Sequence, residues 1–221
     1  MNELIFLFHI LIVIFFLGFS LRLGKIPLII FIVLQTLFAN IFVLKQINLF
    51  TLTVTSSDVY IVGAMLSLNI LQEHFGEKIA KKAIYFSFYF SIFFLLMSMM
   101  HIIYLPSSSD QFHLHYNKIL SLTPRIILSS IGVYFISARI DVWLYSFLKG
   151  ASFAFKNILS IAISQVFDTI FFSFIALYGI VEHITHIIVI SLTIKLFLTF
   201  SGSFFVSLIK KYYPQIKEDE V

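Results

Sequence analysis

The chain has 221 residues, of which 60% are apolar and 18% aromatic, while only 12% are charged. A soluble globular domain is about 45–50% apolar and about 25% charged, so too few charged side chains are present here to cover a water-facing surface. With a mean hydropathy of +1.01, this composition excludes a soluble enzyme, a nucleic-acid-binding protein and a disordered adaptor, and it predicts a protein that faces lipid. The absence of Cys also excludes disulfides and thiolate metal sites.

Seven apolar stretches are long enough, or nearly long enough, to cross a bilayer, which takes about 20 residues of helix. In chain order they run over residues 4–21, 26–44, 59–71, 83–105, 126–148, 157–180 and 187–209. The first lacks a basic segment before it and is longer than the apolar part of a signal peptide, so we expect it to be retained as a span. The third is the shortest, so it either continues as an amphipathic helix to Phe75 or stops early at Gly76. We therefore predict an all-α, polytopic membrane bundle of about seven transmembrane helices, forming one domain over residues 1–221, with no metal or other cofactor.

The basic residues between the spans predict the orientation, because cytoplasmic loops carry an excess of Lys and Arg. With an odd number of spans, ten of these residues fall on one side of the membrane and three on the other. The richer side holds Arg22, Lys25, Lys78, Lys81, Lys82, Lys149, Lys156, Lys210, Lys211 and Lys217, and the poorer side holds Lys45, Lys118 and Arg125. The N-terminus is therefore expected outside and the C-terminus in the cytoplasm. We expect the longest outer loop, residues 106–124, to be an exposed cover, and neither its His113 and His115 nor His183 and His186 to bind zinc.

Ionisable residues within the spans are the first candidates for a substrate or ion pathway, because each costs a few kcal/mol to insert. Asp168 lies near the middle of the sixth span, three residues after Gln165. Ser160, Ser164 and Asp168 are spaced by four, so a helix places them on one face as a polar stripe. Lys195, in the antiparallel seventh span, is expected to differ from Asp168 in depth by roughly 6 Å at the helical rise per residue. A lysine stem spans that difference, which predicts an ion pair.

Other polar residues in the spans are weaker candidates. Polar side chains also hold neighbouring helices together, at about 0.6 kcal/mol on average, and that alternative stays open. Arg139 and Asp141 lie near the inner end of the fifth span, where they act on a substrate or form a local pair. Asn69 and Glu73 are one helical turn apart in the third span, and Asn40 lies near the outer end of the second. A cavity lined by carboxylate, carboxamide, hydroxyl and aromatic groups suits a small planar polar molecule with several N–H donors, such as a nucleobase.

Blocks of sequence along the spans form a recognisable set. The two most specific are the block from Asn69 to Lys78, which contains Glu73-His74-Phe75-Gly76, and the block from Ser164 to Phe171 around Asp168. The weaker ones are Ala39-Asn40-Ile41 with Lys45, Pro124-Arg125-Ile126, Asp141-Val142-Trp143 and Ile194-Lys195-Leu196. Together they resemble, over nearly the whole chain, the queuosine precursor transporter family, which is similar to the substrate-binding subunits of energy-coupling-factor vitamin transporters.

The resemblance implies a six-helix core with one added N-terminal helix in the bacterial cytoplasmic (inner) membrane. It implies uptake of a 7-deazaguanine base for tRNA salvage: the cyano or aminomethyl precursor of queuosine, or the free base queuine. The partners would be this small molecule and the lipid bilayer, with no nucleic acid. The implied substrate-binding residues are Asp168 for the N–H pair, Gln165 and Asn40 for orientation, Glu73 or Lys195 for the carbonyl edge or gating, and Asn69, Arg139 and Asp141.

The sequence departs from the family's pattern at Leu68-Asn69, where the family usually has Thr-Asp. Asn keeps a carbonyl acceptor and adds two donors, so the position can still contact a base edge, although the ligand would differ. Two other functions compete with a stand-alone carrier. One is the ligand-binding subunit of an ATP-driven, vitamin-type uptake system. The other is an intramembrane enzyme, which we do not expect because no His lies at mid-membrane depth beside a Ser.

Overall fold

The computed structural model describes residues 1–43, 45–49, 52–121, 124–179 and 184–212. Within these ranges the chain is almost entirely helical, as the composition predicts. Seven helices have 18 or more residues: α1 (Asn2–Leu23), α2 (Lys25–Phe42), α3 (Asp58–Phe75), α4 (Glu77–Ile103), α6 (Pro124–Phe147), α7 (Phe153–Phe172) and α8 (Ile184–Tyr212). The short helix α5 (His113–Leu120) lies between α4 and α6, and a π-helical turn (Ser173–Leu177) continues α7.

Five of the long helices are apolar and long enough to cross a membrane: α1, α2, α4, α7 with its π-helical turn, and α8. The other two predicted spans, α3 and α6, also form long helices, but within the described residues they do not qualify as candidate spans by length and apolar composition. In α3, thirteen of the 18 residues are buried in the protein, and they include polar residues such as Asn69 and Gln72. A helix shielded from lipid by its neighbours tolerates polar residues that a lipid-facing helix does not.

The α3 helix is the centre of the bundle, in contact with α1, α2, α4, α6, α7 and α8. It runs to Phe75 and ends at Gly76, whose φ of 86° closes the helix and starts the next one at Glu77. The third span therefore continues as a helix to Phe75, as one alternative predicts, and is broken at Gly76, as the other predicts. Gly63 lets α3 approach α1 and α2 closely, because a Cβ at this position would lie 2.7 Å from Val13 Cγ1 and closer still to Gln35 Oε1. Small residues at such crossings are typical of helix packing in membranes.

Contacts between helix ends support an alternating up-and-down path. Arg125 at the start of α6 donates to the carbonyl oxygens of Ile175 and Tyr178 at the end of α7, at 2.7 and 3.0 Å. At the opposite end of the bundle, Lys156 at the start of α7 is 2.7 Å from Glu73 at the end of α3. Successive long helices thus run in opposite directions.

Two short elements lie outside the long helices. β1 (Gln46–Leu49) and β2 (Leu52–Thr55) pair as an antiparallel hairpin between α2 and α3, which the sequence analysis did not predict. The N-terminus of α1 holds the hairpin, because Asn2 Nδ2 donates to Asn48 O at 3.0 Å. The described part of the predicted outer cover forms the exposed helix α5.

The bundle is apolar outside, and its interior combines a hydrophobic core with many buried polar residues. Its exposed large hydrophobic residues include many Phe side chains, among them Phe15, Phe93 and Phe197. In α7, by contrast, six of the seven buried residues are polar: Asn157, Ser160, Ser164, Gln165, Asp168 and Thr169. A soluble protein exposes most of its polar residues to water, whereas this bundle buries many of them between its helices.

Candidate functional site

Four helices contribute buried polar stripes to the interior. On α7 the stripe predicted from the sequence is present, and Ser160, Ser164 and Gln165 are fully buried. On α6 the stripe is Tyr134, Ser137 and Asp141, which helical spacing places on one face. The α3 stripe includes Asp58 and Asn69, and the α8 stripe contains Lys195, Thr199 and Ser203 at intervals of four. Their contacts group these side chains into clusters along the axis of the bundle.

The first group, the lysine cluster, consists of Asp58, Ser137, Asp168, Thr169 and Lys195. Lys195 Nζ donates to Asp168 Oδ2 at 2.9 Å and to Thr169 Oγ1 at 3.1 Å, so the predicted ion pair is confirmed. Ser137 Oγ donates to Asp168 Oδ1 at 3.4 Å. The second carboxylate is that of Asp58, whose Oδ1 lies 4.0 Å from Lys195 Nζ. Both oxygens of Asp168 are therefore already in contact with protein groups.

The second group, the asparagine cluster, consists of Asn69, Asp141, Asn157, Ser160 and Ser203. Asn69 Nδ2 donates to Asn157 Oδ1 at 2.8 Å and to Ser160 Oγ at 3.0 Å, and Asn157 Nδ2 donates to Ser203 Oγ at 3.0 Å. Asn69 and Ser160 also lie beside the Asp141 carboxylate. Ser160 and Asp168 are eight residues apart on α7, so this cluster lies about 12 Å from the lysine cluster along the axis.

Several buried polar atoms between and within these clusters have no hydrogen-bond partner among the described residues. They are both carboxylate oxygens of Asp141, both amide atoms of Gln165, Asn69 Oδ1, Tyr134 Oη and Ser87 Oγ. Buried polar groups are nearly always paired in proteins, because leaving one unpaired costs about 1–3 kcal/mol. These atoms are therefore candidates for contact with a polar ligand.

The third group lies at the end of α3 and involves Glu73. Glu73 Oε2 accepts from Tyr145 Oη and from Lys156 Nζ, each at 2.7 Å. Nearby, Gln72 Nε2 donates to Ser146 Oγ at 2.7 Å. The group ties α3, α6 and α7 together at one end of the bundle, so Glu73 is not brought together with Asp168 or Lys195.

Two other predicted site residues lie apart from the interior. Asn40 is buried, and its Oδ1 accepts from Ser130 Oγ of α6 at 2.6 Å. Arg139 is exposed and donates to Tyr85 Oη at 2.5 Å, with its guanidinium over the Tyr85 ring. The alternative of a local pair between Arg139 and Asp141 is wrong, because two positions apart on a helix they point in nearly opposite directions. Of the predicted site residues, the structure thus brings Asn69, Asp141, Gln165, Asp168 and Lys195 into one interior. His183 lies outside the described residues, and so does the side chain of His186.

Sequence reasoning missed Asp58, Asn157, Ser203 and Tyr134. Asp58 was overlooked because the third span was predicted to begin after it, at residue 59. The signal that would have found it is length: an 18-residue helix spans only about 27 Å, which is shorter than the hydrocarbon core, so its first residues lie at depth. Ser203 follows Lys195 and Thr199 at intervals of four, so the α8 stripe was also visible in the sequence.

Comparison with known proteins agrees with this architecture. The model of a family described as "Putative vitamin uptake transporter" matches residues 55–209, a range that contains both the lysine and the asparagine clusters. A protein of Bacillus subtilis (strain 168), described as "Probable queuosine precursor transporter", is 31% identical over 178 residues, which cover 77% of this chain and 75% of that relative. No solved structure matches. The chain is therefore a multi-pass membrane protein that belongs to the family described as "Putative vitamin uptake transporter".

Proposed function

We propose that the protein imports a queuosine precursor, a 7-deazaguanine base, through its polar interior. The observation that carries the proposal is the set of unsatisfied buried atoms at Asp141, Gln165 and Asn69 in a chain related to a queuosine precursor transporter. A deazaguanine presents N–H donors on one edge and a ring carbonyl, so it needs paired acceptors and an amide donor. Those are the groups that the interior leaves without partners.

The residue roles follow from which atoms are already bonded. Asp168 is bonded to Lys195 and Ser137, whereas the Asp141 carboxylate has only the neutral side chains of Asn69 and Ser160 beside it. We therefore assign the N–H pair of the base to Asp141 and the ring carbonyl to Gln165 Nε2, with Asn69 Oδ1 as a further acceptor. Asp168 and Lys195 then lie next to the base without forming hydrogen bonds to it. The pair of Glu73 and Lys156 closes one end of the site.

The proposal includes the location and the orientation. A bacterial cytoplasmic membrane, with the N-terminus outside and the C-terminus in the cytoplasm, is supported by the excess of basic residues at one end of the bundle. Transport with no chemical change of the base is supported by the relationship to a protein described as a queuosine precursor transporter.

Uptake of a labelled base tests the function. In cells that lack their own synthesis of queuosine precursors, expression of the protein is expected to allow uptake of the labelled cyano precursor, with competition by the aminomethyl precursor or queuine and not by an amino acid. Asp141→Asn exchanges one acceptor oxygen for a donor and is expected to reduce uptake at least tenfold. The control is Asp110→Asn, in an exposed aspartate that caps the surface helix α5.

Two results would count against the proposal. Uptake by Asp141→Asn at the wild-type level, with normal amounts of protein in the membrane, would contradict the assigned site. A purified protein that binds the base but moves it across proteoliposomes only with an added ATPase would identify the chain as a binding subunit instead of a carrier.

A further inference from the structure

The lysine cluster contains one more acidic group than basic groups. Asp58, Asp168 and Lys195 are 3%, 8% and 5% exposed, respectively. With all three ionised, two negative charges and one positive charge leave the cluster with a net charge of −1. An uncompensated charge inside a protein costs several kcal/mol, so the cluster needs either a bound cation or a proton.

The distances show which carboxylate holds the excess. Lys195 Nζ bonds Asp168 at 2.9 Å and remains 4.0 Å from Asp58 Oδ1, which is beyond hydrogen-bonding distance. Asp58 Oδ2 has no hydrogen-bond partner among the described residues. An ammonium between two ionised carboxylates would be drawn to both, so its unequal position is the one expected when Asp58 carries a proton.

Among the described residues, Lys195 is the one Lys or Arg that interacts with Asp58. Lys195 and the hydroxyl of Ser191 face it from α8, and Asp168 faces it from α7. On α1, the imidazole of His9 packs on Tyr60 at a centroid distance of 4.6 Å, and it does not interact with Asp58. None of the described charged residues of α2, α4 and α6 interacts with Asp58: these are Lys25 of α2, Glu77, Lys78, Lys81 and Lys82 of α4, and Arg125, Arg139 and Asp141 of α6.

A proton fits this cluster better than a metal ion does. The Lys195 ammonium already lies within 4.0 Å of both carboxylates, in the position where a metal ion would bridge them, and like charges would repel. A proton on Asp58 needs no added volume. Resting on the proposed function, we propose that Asp58 is a proton-binding site and that its proton is carried inward together with the substrate.

The proton affects helix packing because Lys195 has two possible partners. With Asp58 protonated, the cluster is neutral and Lys195 holds α7 and α8 together through Asp168. When the proton leaves Asp58 for water, two carboxylates compete for the ammonium, and the contact of α8 shifts toward α3. Loss of the proton and rearrangement of these helices are thereby linked, which is what coupled transport requires.

Proteoliposomes with purified protein test the coupling. The probe is the labelled cyano precursor, measured in two ways: exchange at equal pH and accumulation driven by an inward proton gradient. One proton per base and a gradient of one pH unit allow up to about tenfold accumulation. Wild type and the control Asp110→Asn are expected to accumulate the base, while Asp58→Asn is expected to keep exchange within about twofold yet only equilibrate, because Asn remains neutral in both states.

Accumulation by Asp58→Asn at the wild-type level would overturn the proposal, and so would accumulation driven by a sodium gradient alone. Absence of exchange in the wild type would instead contradict the proposed function. The proton itself is then tested without substrate: infrared spectra at neutral pH should show a carboxylic-acid C=O band in the wild type that is missing from Asp58→Asn and retained in Asp110→Asn. If the two variants have identical carboxylic-acid bands, Asp58 binds no proton.

Discussion

The Asp141 carboxylate depends on neutral neighbours. Asn69 and Ser160 lie beside it, and Asn69 in turn donates to Asn157 and Ser160. With an amide at 69, the asparagine cluster holds one carboxylate and several hydroxyl and amide groups. An aspartate at position 69 would place a second negative charge beside Asp141.

Asn69→Asp is therefore expected to destabilise this protein. The change removes the amide donor that serves Asn157 and Ser160, and it places a second buried carboxylate near Asp141. We expect a loss on the order of 1–3 kcal/mol, seen as a lower melting temperature in detergent and weaker uptake. The double variant Asn69→Asp with Asp141→Asn should recover melting temperature, since it again contains one carboxylate; no recovery would show that the two positions do not interact.

Removal of the Lys195 ammonium is expected to lower stability more than removal of the Asp168 carboxylate. Lys195→Met leaves two buried carboxylates without a cation, and breaking a buried ion pair in this way costs about 3–5 kcal/mol. The double variant Asp168→Asn with Lys195→Met removes both charges and should melt closer to the wild type than Lys195→Met does. Equal melting temperatures for the single and double variants would contradict the ion pair.

Individual elements differ in how well the sequence predicted them. The long helices were predictable because their stretches of apolar residues exceed the length of a span, and the α7 stripe was predictable because helical spacing is regular. The β1–β2 hairpin and α5 were not, since short elements depend on contacts with distant residues, such as that of Asn2 with Asn48. The charge at Asp58 was missed for a related reason: the depth of a helix start depends on how the preceding segment packs.

The central position of α3 makes its close contact at Gly63 sensitive to added volume. Gly63→Ala would place a methyl group 2.7 Å from Val13 Cγ1 and still nearer to Gln35 Oε1. Overpacking of this kind typically costs about 1–3 kcal/mol, so a lower melting temperature is expected. Gly132→Ala on α6 is the matched control, because a Cβ there meets nothing within 4 Å. A melting temperature unchanged by Gly63→Ala would mean that the α1, α2 and α3 crossing is looser than described.

At the scale of the whole molecule, the orientation that we propose rests on charge, and the fold class follows from hydropathy. The composition alone predicted a lipid-facing protein, and the structure adds that the bundle keeps its polar side chains inside. Which of those side chains meet was only partly predictable. The pair of Asp168 and Lys195 could be expected from depth on adjacent antiparallel helices, whereas the separation of Glu73 and Arg139 from it depends on the rotation of each helix about its axis.

The orientation has a direct test that uses the absence of Cys from the chain. A single cysteine is introduced in the exposed loop after α4, as Ser108→Cys, or in the exposed loop after α6, as Lys149→Cys. A membrane-impermeant maleimide applied to intact cells is expected to label Ser108→Cys and to label Lys149→Cys only after permeabilisation. The reverse pattern would place the N-terminus in the cytoplasm, and the cysteine-free parent measures background labelling.

The hydrogen bonds from Arg125 to the carbonyl oxygens of Ile175 and Tyr178 restrict how α6 and α7 move relative to each other. A short connection, residues 148–152, joins α6 to α7 at one end, and this side chain braces them at the other. The two helices are thus connected at both ends, while α8 contacts α7 near mid-length through the Lys195 ammonium. We therefore expect α6 and α7 to move together as one body during transport.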